Sequence, residues 1–133
     1  MKEQCIGIIC LILLASAFLT LSGVQPAYSV LTPGDTVKKA LEITCGRYLF
    51  DFKGEVAHWF KVGMKPGQTM TIALTVPGGA SLDLYLYSPS TDGLMGLLAS
   101  SEHWEYVDTG GVQTITYVVK EAGLHHIKVT GVK

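Results

Sequence analysis

The chain has 133 residues, with 10 Lys and Arg against 11 Asp and Glu for a formal net charge of −1. That balance suggests neither a nucleic acid nor an anionic membrane surface as partner. Hydrophobic residues make up 48% of the chain, enough for one core, and the length is too short for two domains.

The N-terminus has the layout of a secretory signal peptide. Lys2 precedes an apolar run from Ile6 to Leu21, and a polar, Pro-containing segment follows and ends at Ala27, Tyr28 and Ser29. Small residues at Ala27 and Ser29 place the cleavage after Ser29, giving a signal over 1–29 and a single domain over 30–133. The apolar run, about 16 residues, falls just below the roughly 17–25 needed to span a bilayer. A membrane association is therefore expected only if the segment stays uncleaved. Cys10 lacks the small preceding residue of a lipidated cysteine. The mature chain would keep Cys45 as its one cysteine, so an intramolecular disulfide is excluded, and the thiol is expected to act as a small buried hydrophobe. With no asparagine anywhere, N-linked glycosylation is excluded as well.

Beyond the signal, Thr32-Pro33-Gly34-Asp35 reads as a turn, and Val37, Leu41 and Ile43 as a weakly patterned strand. Tyr48, Phe50 and Phe52 alternate in a second strand. Val56 to Val62 gives a third, with Phe60 and Val62 inward. Lys65-Pro66-Gly67-Gln68 has the Pro-Gly pair of a type II turn. After it, Met70, Ile72, Leu74 and Val76 alternate with Thr69, Thr71, Ala73 and Thr75, the two-residue period of a strand with one buried face. Leu82, Leu84 and Leu86 repeat that pattern. Strands over Leu94 to Ser101, Gln113 to Val119 and Leu124 to Val129 follow, separated by Gly-rich turns. Short β-branched and aromatic runs punctuated in this way predict an all-β fold, an antiparallel sandwich.

Several segments together resemble the pre-peptidase C-terminal domain. They are Trp59-Phe60-Lys61-Val62, Lys65-Pro66-Gly67-Gln68-Thr69, Leu82 through Tyr87, Leu98-Ala99-Ser100-Ser101, and Ala122-Gly123 through Ile127-Lys128-Val129. The resemblance covers most of the mature chain and is strongest from His58 onward. It implies a jelly-roll-like β-sandwich of the kind appended to secreted bacterial and archaeal proteases, with collagen binding and calcium binding among related modules. Family members often carry an acidic residue where His58 stands, another where Ser81 or Ser88 stands, and Thr-Tyr-Tyr at Leu124-His125-His126. These departures weaken a transfer of calcium binding.

The residues argue against catalysis. No Gly-x-Ser-x-Gly elbow is present, and Ser100, Ser101, His103 and Asp83 have no spacing that makes a triad. Zinc is disfavoured although His58, His103, His125 and His126 are available, because adjacent histidines on a strand leave opposite faces. His125 is in phase with Ile127 and Val129 and is expected in the core, while His126 is in phase with Lys128 and is expected in solvent. Calcium is the better metal hypothesis, with Asp83, Glu102, Glu105 and Asp108 as oxygen ligands and Asp92 nearby.

Recognition is expected on an aromatic face. If Leu82, Leu84 and Leu86 point inward, Asp83, Tyr85 and Tyr87 point outward, and two tyrosines beside a carboxylate offer a platform for a sugar ring or an extended polypeptide. The same rings would otherwise cover the sheet or pack under the loop with Trp104 and Tyr106. The sequence thus predicts a non-catalytic, secreted or cell-surface β-sandwich that binds an extracellular protein or polysaccharide. An accessory module docked on another exported protein, with no external ligand of its own, is the alternative.

Overall fold

The alternation of β-branched and aromatic residues with small polar ones builds two five-stranded sheets. The computed structural model describes residues 8–15, 29–50, 57–76, 81–89, 96–101 and 111–132. In chain order the strands are β1 (Ile8–Ala15), β2 (Ser29–Leu31), β3 (Leu41–Ile43), β4 (Gly46–Phe50), β5 (His58–Met64), β6 (Thr69–Val76), β7 (Ser81–Tyr87), β8 (Leu97–Ser101), β9 (Gly111–Val118) and β10 (Gly123–Val132). One sheet, A, runs β2-β4-β1-β6-β9. The other, B, runs β3-β5-β10-β7-β8.

The inner faces of the sheets meet in one core. Phe60, Ile72, Leu74, Leu84, Leu86, Ile127 and Val129 are fully buried, together with Phe50 and Met70. Register explains why. Across sheet B, Phe60 faces Ile127 and Ile127 faces Leu86, so one apolar row crosses three strands. Across sheet A, Met70, Ile72 and Leu74 on β6 face Tyr117, Ile115 and Gln113 on β9. Phe50 stands at the junction, edge-on to Phe60 at 5.2 Å and tilted against His58 at 5.5 Å. Edge-to-face contacts of this kind add to the burial of the rings. Gln113 is one of the polar residues buried with the core, as are His58 and His125, and its amide Nε2 donates to the Leu82 carbonyl of the opposite sheet.

Antiparallel pairing holds in only part of the structure. The pairs β5–β10, β10–β7, β7–β8 and β6–β9 are antiparallel as expected. The pairs β1–β4, β1–β6, β2–β4 and β3–β5 are parallel. Every parallel pair includes one of the first four strands, and none of these pairs joins strands consecutive in the chain, since a parallel pair cannot be joined by a tight hairpin. Strand β1 lies in the apolar run that predicts an export signal, and it sits between β4 and β6. Val37 is not in a strand either. Val37–Lys39 form a single 3-10 turn, with the Thr36 hydroxyl accepting from the Lys39 N–H at 3.3 Å.

Two glycines carry specific backbone demands. Gly67 has φ +90° at the third position of the Lys65–Gln68 turn, whose ends are joined by the Gln68 N–H to the Lys65 carbonyl at 3.2 Å. A β-carbon there would strain the backbone. Gly34 exchanges two hydrogen bonds with Trp59, at 2.8 and 3.2 Å, and a β-carbon on it would collide with the Lys39 carbonyl. This close approach lays the segment 34–39 beside β5. Gly67→Ala is expected to cost at least about 1 kcal/mol, and Gly34→Ala more, since backbone must move to admit it. Urea denaturation of the two variants checks both the cost and its order.

Candidate functional site

The outer face of sheet B collects the aromatic and charged residues. Burial alternates along β7, with Leu82, Leu84 and Leu86 inside and Ser81, Asp83, Tyr85 and Tyr87 half-buried on the other side. Along β5, His58, Phe60, Val62 and Met64 are buried, which turns Trp59, Lys61 and Gly63 outward. Strand β10 lies between the two and registers them. Lys128 faces Trp59 on one side and Tyr85 on the other, while His126 faces Lys61 and Tyr87. Cross-strand partners share a face, so these residues form two consecutive outer rows.

The first row is an aromatic strip. The rings of Trp59 and Tyr87 lie 5.6 Å apart with a 36° tilt, and those of Tyr87 and Tyr85 lie 6.5 Å apart with a 30° tilt. The Lys128 ammonium stands over all three, at 4.8 Å from the Tyr85 centroid, 5.5 Å from Trp59 and 5.6 Å from Tyr87. A cation over a ring face is held by the ring quadrupole, by about 0.5–1 kcal/mol at exposed sites. Asp83 is on the same face of β7, opposite Thr130.

Behind the strip, the second row borders a pocket of about 370 Å³ whose walls include Val37, Lys38, Lys61, Pro89, Leu124 and His126. The expectation of a solvated His126 is corrected here. Its Cα does lie on the outer face, but the side chain is 6% exposed, because this end of the face is not open sheet. His125 is buried on the inner face, as its phase with Ile127 requires, and its Nδ1 donates to the Gly123 carbonyl at 3.2 Å. Both imidazoles are held below the ordinary histidine value of 6.5. Burial is the main cause for each. The Gly123 carbonyl and Glu121 oppose it at His125, whereas at His126 Lys61 and His125 reinforce it and the Leu124 backbone carbonyl opposes it. A larger pocket of about 630 Å³ lies beyond Leu124, with Ile43, Cys45, Val62 and Met64 among its mostly apolar walls. Cys45 is half-buried and packed on the core.

Of the residues expected to form the site, Asp83, Tyr85 and Tyr87 share one face as the alternation requires. Trp59, Lys61 and Lys128 join them and were not singled out from the sequence. Their phase relative to Phe60, Ile127 and Val129 marks them as outward, but nothing in the sequence states that β5, β10 and β7 are neighbours. Glu102, Glu105 and Asp108, and with them Asp92, His103, Trp104 and Tyr106, lie outside the described residues. Among the described residues no group of three His, Cys, Asp or Glu side chains is placed to hold a metal, and no helix is long and apolar enough to cross a membrane.

No protein-family model matches the chain, and neither the comparison with curated proteins nor that with solved structures finds a significant match.

The two depressed histidines fix the sign of a pH effect. The unfolded chain binds protons at pH values where the native imidazoles remain neutral, so stability rises with pH across that interval. The domain should hold its full stability above about pH 6.5 and lose it steadily as the pH falls below that value, toward the lowered native pKa values. Denaturant midpoints between pH 8 and pH 5 check this, and His125→Gln should flatten the slope.

Proposed function

We propose that this chain is a non-catalytic, exported binding module and that the Trp59–Tyr87–Tyr85 strip takes a ring of an extracellular polysaccharide. The observation that carries the reading is the strip itself. Three half-buried rings, contiguous and tilted by no more than 36° between neighbours, gather around the Lys128 ammonium, with Asp83 on the same face of β7. Rings with polar groups among them suit a sugar, whose C–H faces need apolar area and whose hydroxyls need partners. The resemblance to the pre-peptidase C-terminal domain, carried by Trp59 to Val62, Lys65 to Thr69 and Leu82 to Tyr87, supports a jelly-roll-like, secreted sandwich of this kind. The carboxylates of Asp83, Glu102, Glu105 and Asp108 are the oxygen ligands that a calcium ion would take.

Export rests on Lys2, the apolar run after it and the small residues Ala27 and Ser29. Cleavage after Ser29 would remove β1 and bring β4 against β6. Their registers already agree through β1, since Gly46 and Ile72 both face Leu11. A second reading, an accessory module docked on another exported protein, is favoured by strand β9. It is an edge of sheet A and exposes Val112 at 63% and Val118 at 54%.

Removing both rings with Tyr85→Ala and Tyr87→Ala should leave a cooperative thermal transition while weakening binding to insoluble polysaccharides. A lost transition would make the rings structural, and an intact fold that binds every polysaccharide and collagen as well as the parent would refute the strip as a site. The native protein's N-terminus should lie at or near Val30 by N-terminal sequencing and intact mass; a mass that includes Met1–Ser29 would refute cleavage.

A further inference from the structure

We propose that the pocket beside the aromatic strip receives the carboxylate of an acidic sugar, so that the polysaccharide recognised is one bearing uronic acids. The inference rests on the ring-stacking reading above and names the class of its ligand.

The first support is position. Lys61 follows Trp59 by two residues on β5, and His126 precedes Lys128 by two on β10, so the pocket row adjoins the aromatic row. Adjacent outward rows lie about 6.5–7 Å apart along a strand, a spacing that a pyranose ring and the carboxylate on its C6 bridge together. Tyr87 belongs to both, as a ring of the strip and the cross-strand partner of His126.

The second support is charge. Among the described residues, two ammonium groups, Lys38 and Lys61, and one imidazole line a pocket of about 370 Å³, and no carboxylate does. Glu42 faces Lys61 in the strand register but lines the larger pocket beyond Leu124. Among the described lining residues an anion meets donors and positive charge, beside half-buried apolar walls at Val37, Pro89 and Leu124 that lower the local polarity and strengthen the attraction.

The third support is a poorly satisfied hydrogen-bonding group. The His126 Nδ1 is buried without a hydrogen bond of normal geometry, the Leu124 carbonyl being its weak backbone neighbour, and native structures leave few polar atoms in that state. Burial and Lys61 together keep the imidazole from charging. A carboxylate beside it would offset both effects, accepting from the Lys61 and Lys38 ammonium groups and turning the local field toward one that favours a protonated imidazole. A glutamate side chain would supply the carboxylate without the flat apolar face that the strip is shaped to meet. A uronate supplies both on one ring.

The test is calorimetric titration with a neutral hexose oligomer and a hexuronate oligomer of matched length and linkage, at low salt. The proteins are the parent, Trp59→Ala and the double variant Lys38→Gln/Lys61→Gln. The parent should prefer the hexuronate by about tenfold or more, the value of one charge-assisted hydrogen bond. The double variant should lose that preference while its affinity for the neutral oligomer stays within about twofold, and Trp59→Ala should weaken both. Both lysines are partly or fully exposed, so the double variant should melt like the parent. Equal binding of the two oligomers by the parent, a preference that survives in the double variant, or a glutamate-rich peptide binding as tightly as the hexuronate would each overturn the inference and leave the ring-stacking reading standing. Binding of neither oligomer by the parent would overturn both.

Discussion

The constraint on which the rest of the structure depends is the two-residue period of β7, set by Leu82, Leu84 and Leu86. All three are fully buried against the opposite sheet, and each is worth about 2–5 kcal/mol against truncation to alanine. A slip of one residue would turn them to solvent and bury Asp83, Tyr85 and Tyr87. The inner leucines therefore decide what the outer face displays. The same register then propagates through β10. Because Ile127 is locked between Leu86 and Phe60, Lys128 must stand between Tyr85 and Trp59. The aromatic strip is in this sense the reverse side of the core row.

The two outer faces of the sandwich differ in chemistry. On sheet A, the outward residues of β6 and β9 are Thr69, Thr71, Ala73 and Thr75 against Val118, Thr116, Thr114 and Val112. They are small, uncharged and largely β-branched, a composition that suits a pleated surface and offers a ligand little to distinguish. On sheet B the corresponding positions hold a tryptophan, two tyrosines, two lysines and a histidine. Long flat rings and lysine stems cover the three central strands of that sheet, with the Lys128 ammonium over the rings. Segment 34–39, hydrogen-bonded to Trp59 through Gly34, converts one end of this face from open sheet to pocket.

Much of the fold was legible because strand periodicity is a local property. The alternations at Met70 to Leu74 and Leu82 to Leu86, the Pro66-Gly67 turn and the inward phase of Phe60, Ile115, His125 and Val129 each follow from a few neighbouring residues. Three features were not legible, for one shared reason. Trp59, Tyr85 and Lys128 are far apart in sequence and become neighbours only through the order β5-β10-β7, which periodicity does not encode. The burial of His126 depends on a segment nearly ninety residues earlier. The parallel placement of β1 through β4 arises from chain crossings between elements rather than from any pattern within them. The sequence therefore revealed that Asp83, Tyr85 and Tyr87 share an outward face, but not which strands lie beside it.

The central claim is that the outer face of sheet B is the recognition surface, and a ligand titration followed residue by residue tests it most directly. Amide and indole resonances of isotope-labelled protein, recorded as a uronate oligosaccharide is added, should shift at Trp59, Lys61, Tyr85, Tyr87, His126 and Lys128 while β6 and β9 stay unchanged. Shifts that cluster on β9 or around Cys45, with the indole of Trp59 unmoved, would contradict the account.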